Sequence, residues 1–249
     1  MKAIILAGGR STRLYPLTRY TPKCLLRVGH RTILDYQLDG FKKHGVTEVV
    51  IVVGCHKAKI IRHVKKQHPD LHVTFLENPI YRKTNAIYGL WIARNAFPLN
   101  ESVLFCHADV LFEEALIPHL LNKRGKNDTI LAYKKGPTDE EAGKIILDND
   151  ERVTRLGKKI SLREATGEYM QIAKFDPLFT RTMLDLLKTR IENEHQVNLY
   201  TIDLYNDVVQ SKDVNAFGME IGTLKITEVD TEADLRQAEK LFAHTNKNT

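Results

Sequence analysis

Met1-Lys2-Ala3-Ile4-Ile5-Leu6-Ala7-Gly8-Gly9-Arg10-Ser11-Thr12-Arg13-Leu14 opens the chain, and its reading decides the fold. Ala3–Leu6 is an apolar run of strand length, and Gly8-Gly9 ends it at once. Glycines after a buried strand let the backbone approach a ligand closely, and successive N–H groups form an anion-binding nest. Arg13, and Lys23 farther on, bracket the turn with cations, the first a planar fork and the second a point charge. The spacing matches neither Gly-x-x-x-x-Gly-Lys-Ser/Thr nor Gly-x-Gly-x-x-Gly. Taken alone, the stretch fits a phosphate cradle or a tight turn with solvated arginines.

Outward from this turn the chain alternates. Thr32 to Lys43 has helical spacing through Ile33, Leu34, Tyr36, Leu38 and Phe41, and Gly45 stops it. Val49–Val53 is a β-branched run, the mark of a strand covered on both faces. Lys57–His68 reads as a basic helix, Val73–Leu76 as a strand and Asn85–Ala96 as a helix, and Ser102–Cys106 as a strand ending at His107-Ala108-Asp109. This order predicts an α/β fold with a doubly wound, mostly parallel, Rossmann-like sheet. From Thr129 strand patterns crowd together at Ile130–Tyr133, Lys144–Leu147, Arg152–Leu156 and Tyr169–Phe175. Helices at Pro177–Arg190 and Leu199–Gln210, a strand at Leu224–Val229 and a helix from Thr231 to Phe242 complete the pattern. No repeat or Gly/Ser/Pro linker divides the chain, so residues 1–249 are expected to form a single domain with 133–176 as a β-rich insertion. The tail His244–Thr249 is expected to fray.

The 249 residues are 43% hydrophobic and 27% charged, too apolar for a disordered chain. Cys24, Cys55 and Cys106 are scattered and odd in number, which argues against a disulfide framework or zinc ribbon and suits a reducing compartment. The first apolar run is too short for a secretory signal, and no run is long enough to span a bilayer, so a cytoplasmic location is expected. Net charge is +6, which points to an anionic partner. The basic run from His56 to Lys66 looks like the solvated face of one helix, without aromatic side chains for base stacking, so nucleic acid is not the expected partner.

Asp109 and Asp230 each follow a strand at the end where open α/β sheets bind ligands. Two such carboxylates beside a bound phosphate suit Mg²⁺, although a lone aspartate there is more often a helix cap. The histidines have no HExxH or comparable spacing, and no zinc is assigned. The stretch Met1–Thr18, with Thr21-Pro22-Lys23, resembles the signature of the sugar-phosphate nucleotidyltransferase superfamily. Ser11 departs from it, standing where that family usually has a second glycine. The resemblance implies that Leu6, Ala7, Gly8, Gly9, Arg10, Ser11 and Thr12 hold the nucleotide, with Arg13 at the β/γ-phosphates and Lys23 near the α-phosphate. It also makes Asp109 and Asp230 the ligands of a Mg²⁺ cofactor.

Glu77-Asn78-Pro79-Ile80-Tyr81 through Thr84-Asn85-Ala86-Ile87-Tyr88-Gly89-Leu90-Trp91 resembles the phosphocholine, aminoalkylphosphonate and inositol-phosphate cytidylyltransferase branch. That branch implies CTP as donor, with Asn78, Thr84 and Asn85 reading base and ribose. It also implies a small phosphorylated acceptor, and the supply of precursors for cell-surface polysaccharide or lipid. Glu141–Lys159 resembles the substrate-side hairpin of the inositol-phosphate cytidylyltransferases, in which Lys144 and Lys158 would bind the acceptor's phosphate, against the alternative of solvated lysines; Glu168, on the next strand, is a candidate to meet the acceptor. Leu199–Asp207 resembles a segment lining the acceptor pocket of the phosphocholine cytidylyltransferases, where Tyr200 and Asp203 would meet a cationic amine. Tyr200, Leu204 and Val208 also have plain helical core spacing. A hexose-1-phosphate uridylyl- or thymidylyltransferase and a non-catalytic nucleotide-binding regulator are the alternatives, and a homodimer stays open.

Overall fold

The computed structural model describes residues 1–125, 127–211 and 213–242; the tail 244–249 lies outside them. Four parallel strands form the frame: β1 (Lys2–Ala7), β4 (Glu48–Val53), β5 (His72–Glu77) and β6 (Val103–His107), in the order β6-β1-β4-β5. The chain steps from β1 outward to β4 and β5, then returns to the other side of β1 for β6. The strand order therefore reverses beside β1, and that is where an open α/β sheet has a crevice at its carboxyl ends.

Alternation along β1 divides the core. Ala3 and Ile5 face a layer holding Leu34, Leu38 and Phe41 of α1 (Ile33–Lys43) and Ile60 and Val64 of α2 (Lys57–Gln67). Ile4 faces the other layer, with Ile87 and Leu90 of α3 (Ala86–Ala93). Both faces of the sheet are covered, which is why its strands read as continuous apolar runs.

The antiparallel half of the same sheet is built from β8 (Thr129–Lys135), β9 (Lys144–Leu147), β10 (Val153–Gly157) and β11 (Gly167–Phe175). β11 pairs with β6 through Ile172–Phe175, with β8 from Gly167 to Lys174 across a register shift between Tyr169 and Ala173, and with β9 at Gly167 and Glu168. Residues 144–175 thus extend the central sheet rather than hang beside it. The sequence pattern missed β12 (Ala216–Glu220), which adds to β8 in parallel, and β7 (Val110–Phe112), which pairs with β13 (Ile226–Glu228). It also missed α4 (Leu116–Asn122) and the hairpin β2 (Arg27–Val28) and β3 (Arg31–Thr32). The helices α5 (Pro177–Lys188) and α6 (Thr201–Val209) complete the α3 layer, and α7 (Glu232–Phe242) closes a third cluster around Leu14, Tyr36 and Val229.

Candidate active site

The carboxyl ends of β1, β4, β5 and β6 open into a cavity of about 330 Å³. Gly8 and Gly9 leave β1 there, and Gly54 leaves β4 beside them. A Cβ on Gly54 would stand 2.6 Å from the Gly8 carbonyl oxygen, so the two loops approach closely only because that position is glycine. Ser11 adopts the left-handed conformation (φ 52°, ψ 47°), a region that glycine enters without the steric cost of a side chain. The Thr18 hydroxyl donates to the Ser11 carbonyl at 2.6 Å and pins the turn. The wall includes Leu6, Gly8, Gly9, Ser11, Thr12 and Arg13. Ala7 lines a small adjoining recess, and Arg10 is exposed outside both.

At the floor, Lys23 Nζ lies 2.7 Å from Asp109 Oδ2 and 2.6 Å from Asp230 Oδ1, and Arg13 Nη2 lies 2.7 Å from Asp230 Oδ2. The approach of β13 to β7 brings the aspartates together, and the Val229 amide donates to the Asp109 carbonyl at 3.0 Å. Glu228 joins them: its carboxylate and those of Asp109 and Asp230 offer oxygens within 4.8 Å of one another. Sequence reasoning did not assign Glu228. Its spacing of two from Asp230, across the buried Val229, was the available signal.

The charges press on one another. Burial opposes the Lys23 ammonium, but Asp109 and Asp230 outweigh it and hold its pKa above the ordinary lysine value. Burial likewise opposes ionisation of Asp109, and Lys23 overcomes it, so its carboxyl sits below the usual range. For Glu228 the relief from Lys23 is outweighed. Burial, with the charges of Asp109 and Asp230, pushes its pKa well above that of a free glutamate. Asp109 Oδ1 is buried with no hydrogen-bond partner. An unpaired carboxylate oxygen beside two more carboxylates is a hard-oxygen donor set for a divalent cation. Burial lowers the pKa of His107, whose Nε2 lies 3.1 Å from Thr201 Oγ1, so it is a neutral, hydrogen-bonded neighbour.

Asn78, Thr84 and Asn85 line the same cavity. The Asn78 side chain accepts from Ile80 N and donates to Thr84 Oγ1, both at 3.0 Å, and so shapes its own loop. Asn85 caps α3 through Ala86 N at 2.8 Å.

A second cavity, about 760 Å³, adjoins the first at Arg13 and Asp230. Glu168 and Lys158 line it. Burial and the neighbouring Asp139 raise the Glu168 pKa. The other three expected acceptor residues do not line it. Lys144 is 1% exposed and its ammonium donates to the carbonyls of Glu140, Ala142 and Lys158, which uses all three of its protons. Tyr200 is the N-cap residue of α6, with Lys158 Nζ 4.3 Å from its ring centroid, and Asp203 accepts from Tyr200 N in the first turn.

A nest, two cations and a carboxylate cluster at a parallel-sheet switch point define a nucleotide-handling α/β enzyme. The chain belongs to the nucleotidyl transferase family, whose model matches residues 2–223. It is 25% identical to the CTP:phosphoglutamine cytidylyltransferase of Campylobacter jejuni, across 96% of this chain and 100% of that one. It is also 25% identical to the choline-phosphate cytidylyltransferase of Streptococcus pneumoniae, across 99% and 100%. In fold it superposes on the CTP:phosphocholine cytidylyltransferase structure from S. pneumoniae with a TM-score of 0.78, at 22% identity over 97% and 98% of the two chains. The inositol-1-phosphate CTP transferase from T. maritima gives 0.80, at 18% identity over 100% and 97%. The expected fold is borne out, as is an enzyme of nucleotidyl transfer. Among the described residues, no helix is long and apolar enough to cross a membrane.

Proposed function

We propose that the chain is a Mg²⁺-dependent cytidylyltransferase that joins CMP from CTP to a small phosphorylated acceptor and releases pyrophosphate. The observation carrying this reading is the pair of cavities that meet at Arg13 and Asp230, one with the glycine turn and the other lined with acid. The second contains Asp139, Glu140, Glu141, Glu168, Glu228, Asp230 and Asp234 against Arg13, Lys134 and Lys158. Such a surface favours an acceptor with a cationic amine beside its phosphate or phosphonate. The cytidylyltransferase relatives include enzymes named for phosphoglutamine, choline phosphate and 2-aminoethylphosphonate.

In this reading the Gly8–Thr12 backbone cradles the triphosphate, and Arg13 and Lys23 neutralise its oxygens. Asp109 and Asp230, joined by Glu228, would hold Mg²⁺, and a divalent cation bound there would supply screening for the negative charge of the phosphates. Lys23 exchanges its two carboxylates for the α-phosphate as the nucleotide enters. The acceptor oxygen, already anionic at pH 7, attacks the α-phosphorus in line, so no residue need act as a base; positioning and charge neutralisation carry the catalysis. Residues 133–176 supply the acceptor side of one catalytic domain, with Lys158 and Glu168 facing the acceptor.

A pyrophosphate-release assay of CTP, UTP, dTTP and ATP against amine-bearing and sugar phosphates tests this. CTP with an amine-bearing acceptor and Mg²⁺ is the expected productive pair. Preference for UTP or dTTP with a hexose phosphate overturns it, and so does turnover that survives Asp109→Asn.

A further inference from the structure

Away from the active site, α1 and the end of α2 bring together three side chains from distant parts of the sequence. His63 Nε2 lies 2.7 Å and His68 Nε2 lies 2.8 Å from the same oxygen, Asp35 Oδ1. The three donor atoms lie within 4.8 Å of one another. We propose that Asp35, His63 and His68 form a second metal site, which takes one divalent transition-metal ion of the zinc class.

The chemistry of the donors selects the ion. Two imidazole nitrogens and one carboxylate oxygen suit Zn²⁺ or Co²⁺, whereas Mg²⁺ prefers oxygen alone. The ligands are also held as metal ligands are. The Thr32 amide donates to Asp35 Oδ2 at 2.9 Å, which fixes the carboxylate and leaves Oδ1 for the histidines. His68 is 5% exposed, and its other ring nitrogen, Nδ1, lies 3.5 Å from Asp39 Oδ1. A carboxylate behind a ligating imidazole is the common outer partner of a zinc histidine. His63 is the more open of the two rings, with Thr32 Oγ1 3.4 Å from its Nε2, which leaves a path for an ion and a fourth ligand. Tetrahedral zinc sets its ligands about 3.3 Å apart, so entry requires each histidine nitrogen to draw back from Asp35 Oδ1 by about 0.5 Å, within reach of side-chain rotation. His63 and His68 stand five apart at the end of one helix and Asp35 lies on another, so no spacing motif announces the set.

Bound there, the ion would tie α1 to α2. The test is zinc binding to the metal-free full-length protein, by competition with a chromophoric chelator, with Co²⁺ absorption reporting nitrogen ligands. One equivalent is expected in the wild type and in the Asp109→Asn/Asp230→Asn double variant, undisplaced by millimolar Mg²⁺. His63→Gln should lose that equivalent and the Zn²⁺-dependent rise in Tm. Asp39→Asn, which leaves all three ligands in place, should weaken binding about 10- to 100-fold. Zinc lost from the double aspartate variant but retained by His63→Gln would place it in the active site and overturn the proposal. No binding by any form would overturn it too, leaving a hydrogen-bonded network only.

Discussion

Lys23 pairs with both Asp109 and Asp230, and that makes its removal informative. Lys23→Ala leaves Asp109, Asp230 and Glu228 facing one another without their shared ammonium. A broken, largely buried ion pair predicts a loss of about 3 kcal/mol in denaturant unfolding without metal. Added Mg²⁺ should return part of that stability, since it binds the native state alone; unchanged stability on adding Mg²⁺ would count against the metal assignment. Glu228 gives a second test through pH. Its carboxyl pKa is raised in the folded protein, so the native state holds the proton more tightly than the unfolded chain. The associated stability is full below the unfolded value, about 4.3, and is lost as pH rises toward the folded value. Glu228→Gln should therefore be the more stable protein in metal-free buffer, by a margin that grows upward from about pH 4.3. That margin should shrink in Mg²⁺, where the wild-type carboxylate has a cation. Equal unfolding curves from pH 5 to 8 would show that Glu228 is not under this strain.

The loops after β1 and β4 form the element that shapes the first cavity, and Gly54 is its contact point. Gly54→Ala puts a Cβ 2.6 Å from the Gly8 carbonyl and 2.9 Å from Tyr81 Cβ, so the glycine turn must shift. Overpacking of this kind costs about 1–3 kcal/mol. If the turn binds the triphosphate, KM for the nucleotide should rise about tenfold while KM for the acceptor stays constant. A parallel rise in both constants would indicate general damage. Elements with strong periodicity were legible in the sequence: β1, β4, α1 and α7 fall within a residue or two of their expected bounds. β12 was not, because Gly218 interrupts it; that glycine leaves room for Leu147, whose Cδ1 would lie 2.6 Å from a Cβ. α4 escaped because seven residues with Pro118 among them hardly make a periodic pattern.

At the scale of the whole molecule, the two cavities sort charge that the composition only totals. The net of +6 hides an acidic wall around the second cavity. If Glu168 meets the acceptor's amine, Glu168→Gln should raise KM about tenfold for an amine-bearing acceptor, the scale of one charge-assisted hydrogen bond, and leave an uncharged alcohol phosphate unaffected. Equal effects on both acceptors would remove Glu168 from that role. The sequence by itself determined the parallel frame and the glycine turn, because each belongs to a short local pattern of strand or turn, whereas Arg13, Lys23 and the two aspartates were singled out by the family resemblance. Only the tertiary structure decided the rest. Glu228 became part of the carboxylate cluster when β13 paired with β7, and Lys144 was turned inward to three carbonyls by the fold of its own hairpin. Asp35 met His63 and His68 when two helices packed on one face of the sheet. Local patterns record what neighbours in sequence must do, whereas charge pairing and ligand convergence depend on which distant segments the packed core brings within a few ångströms.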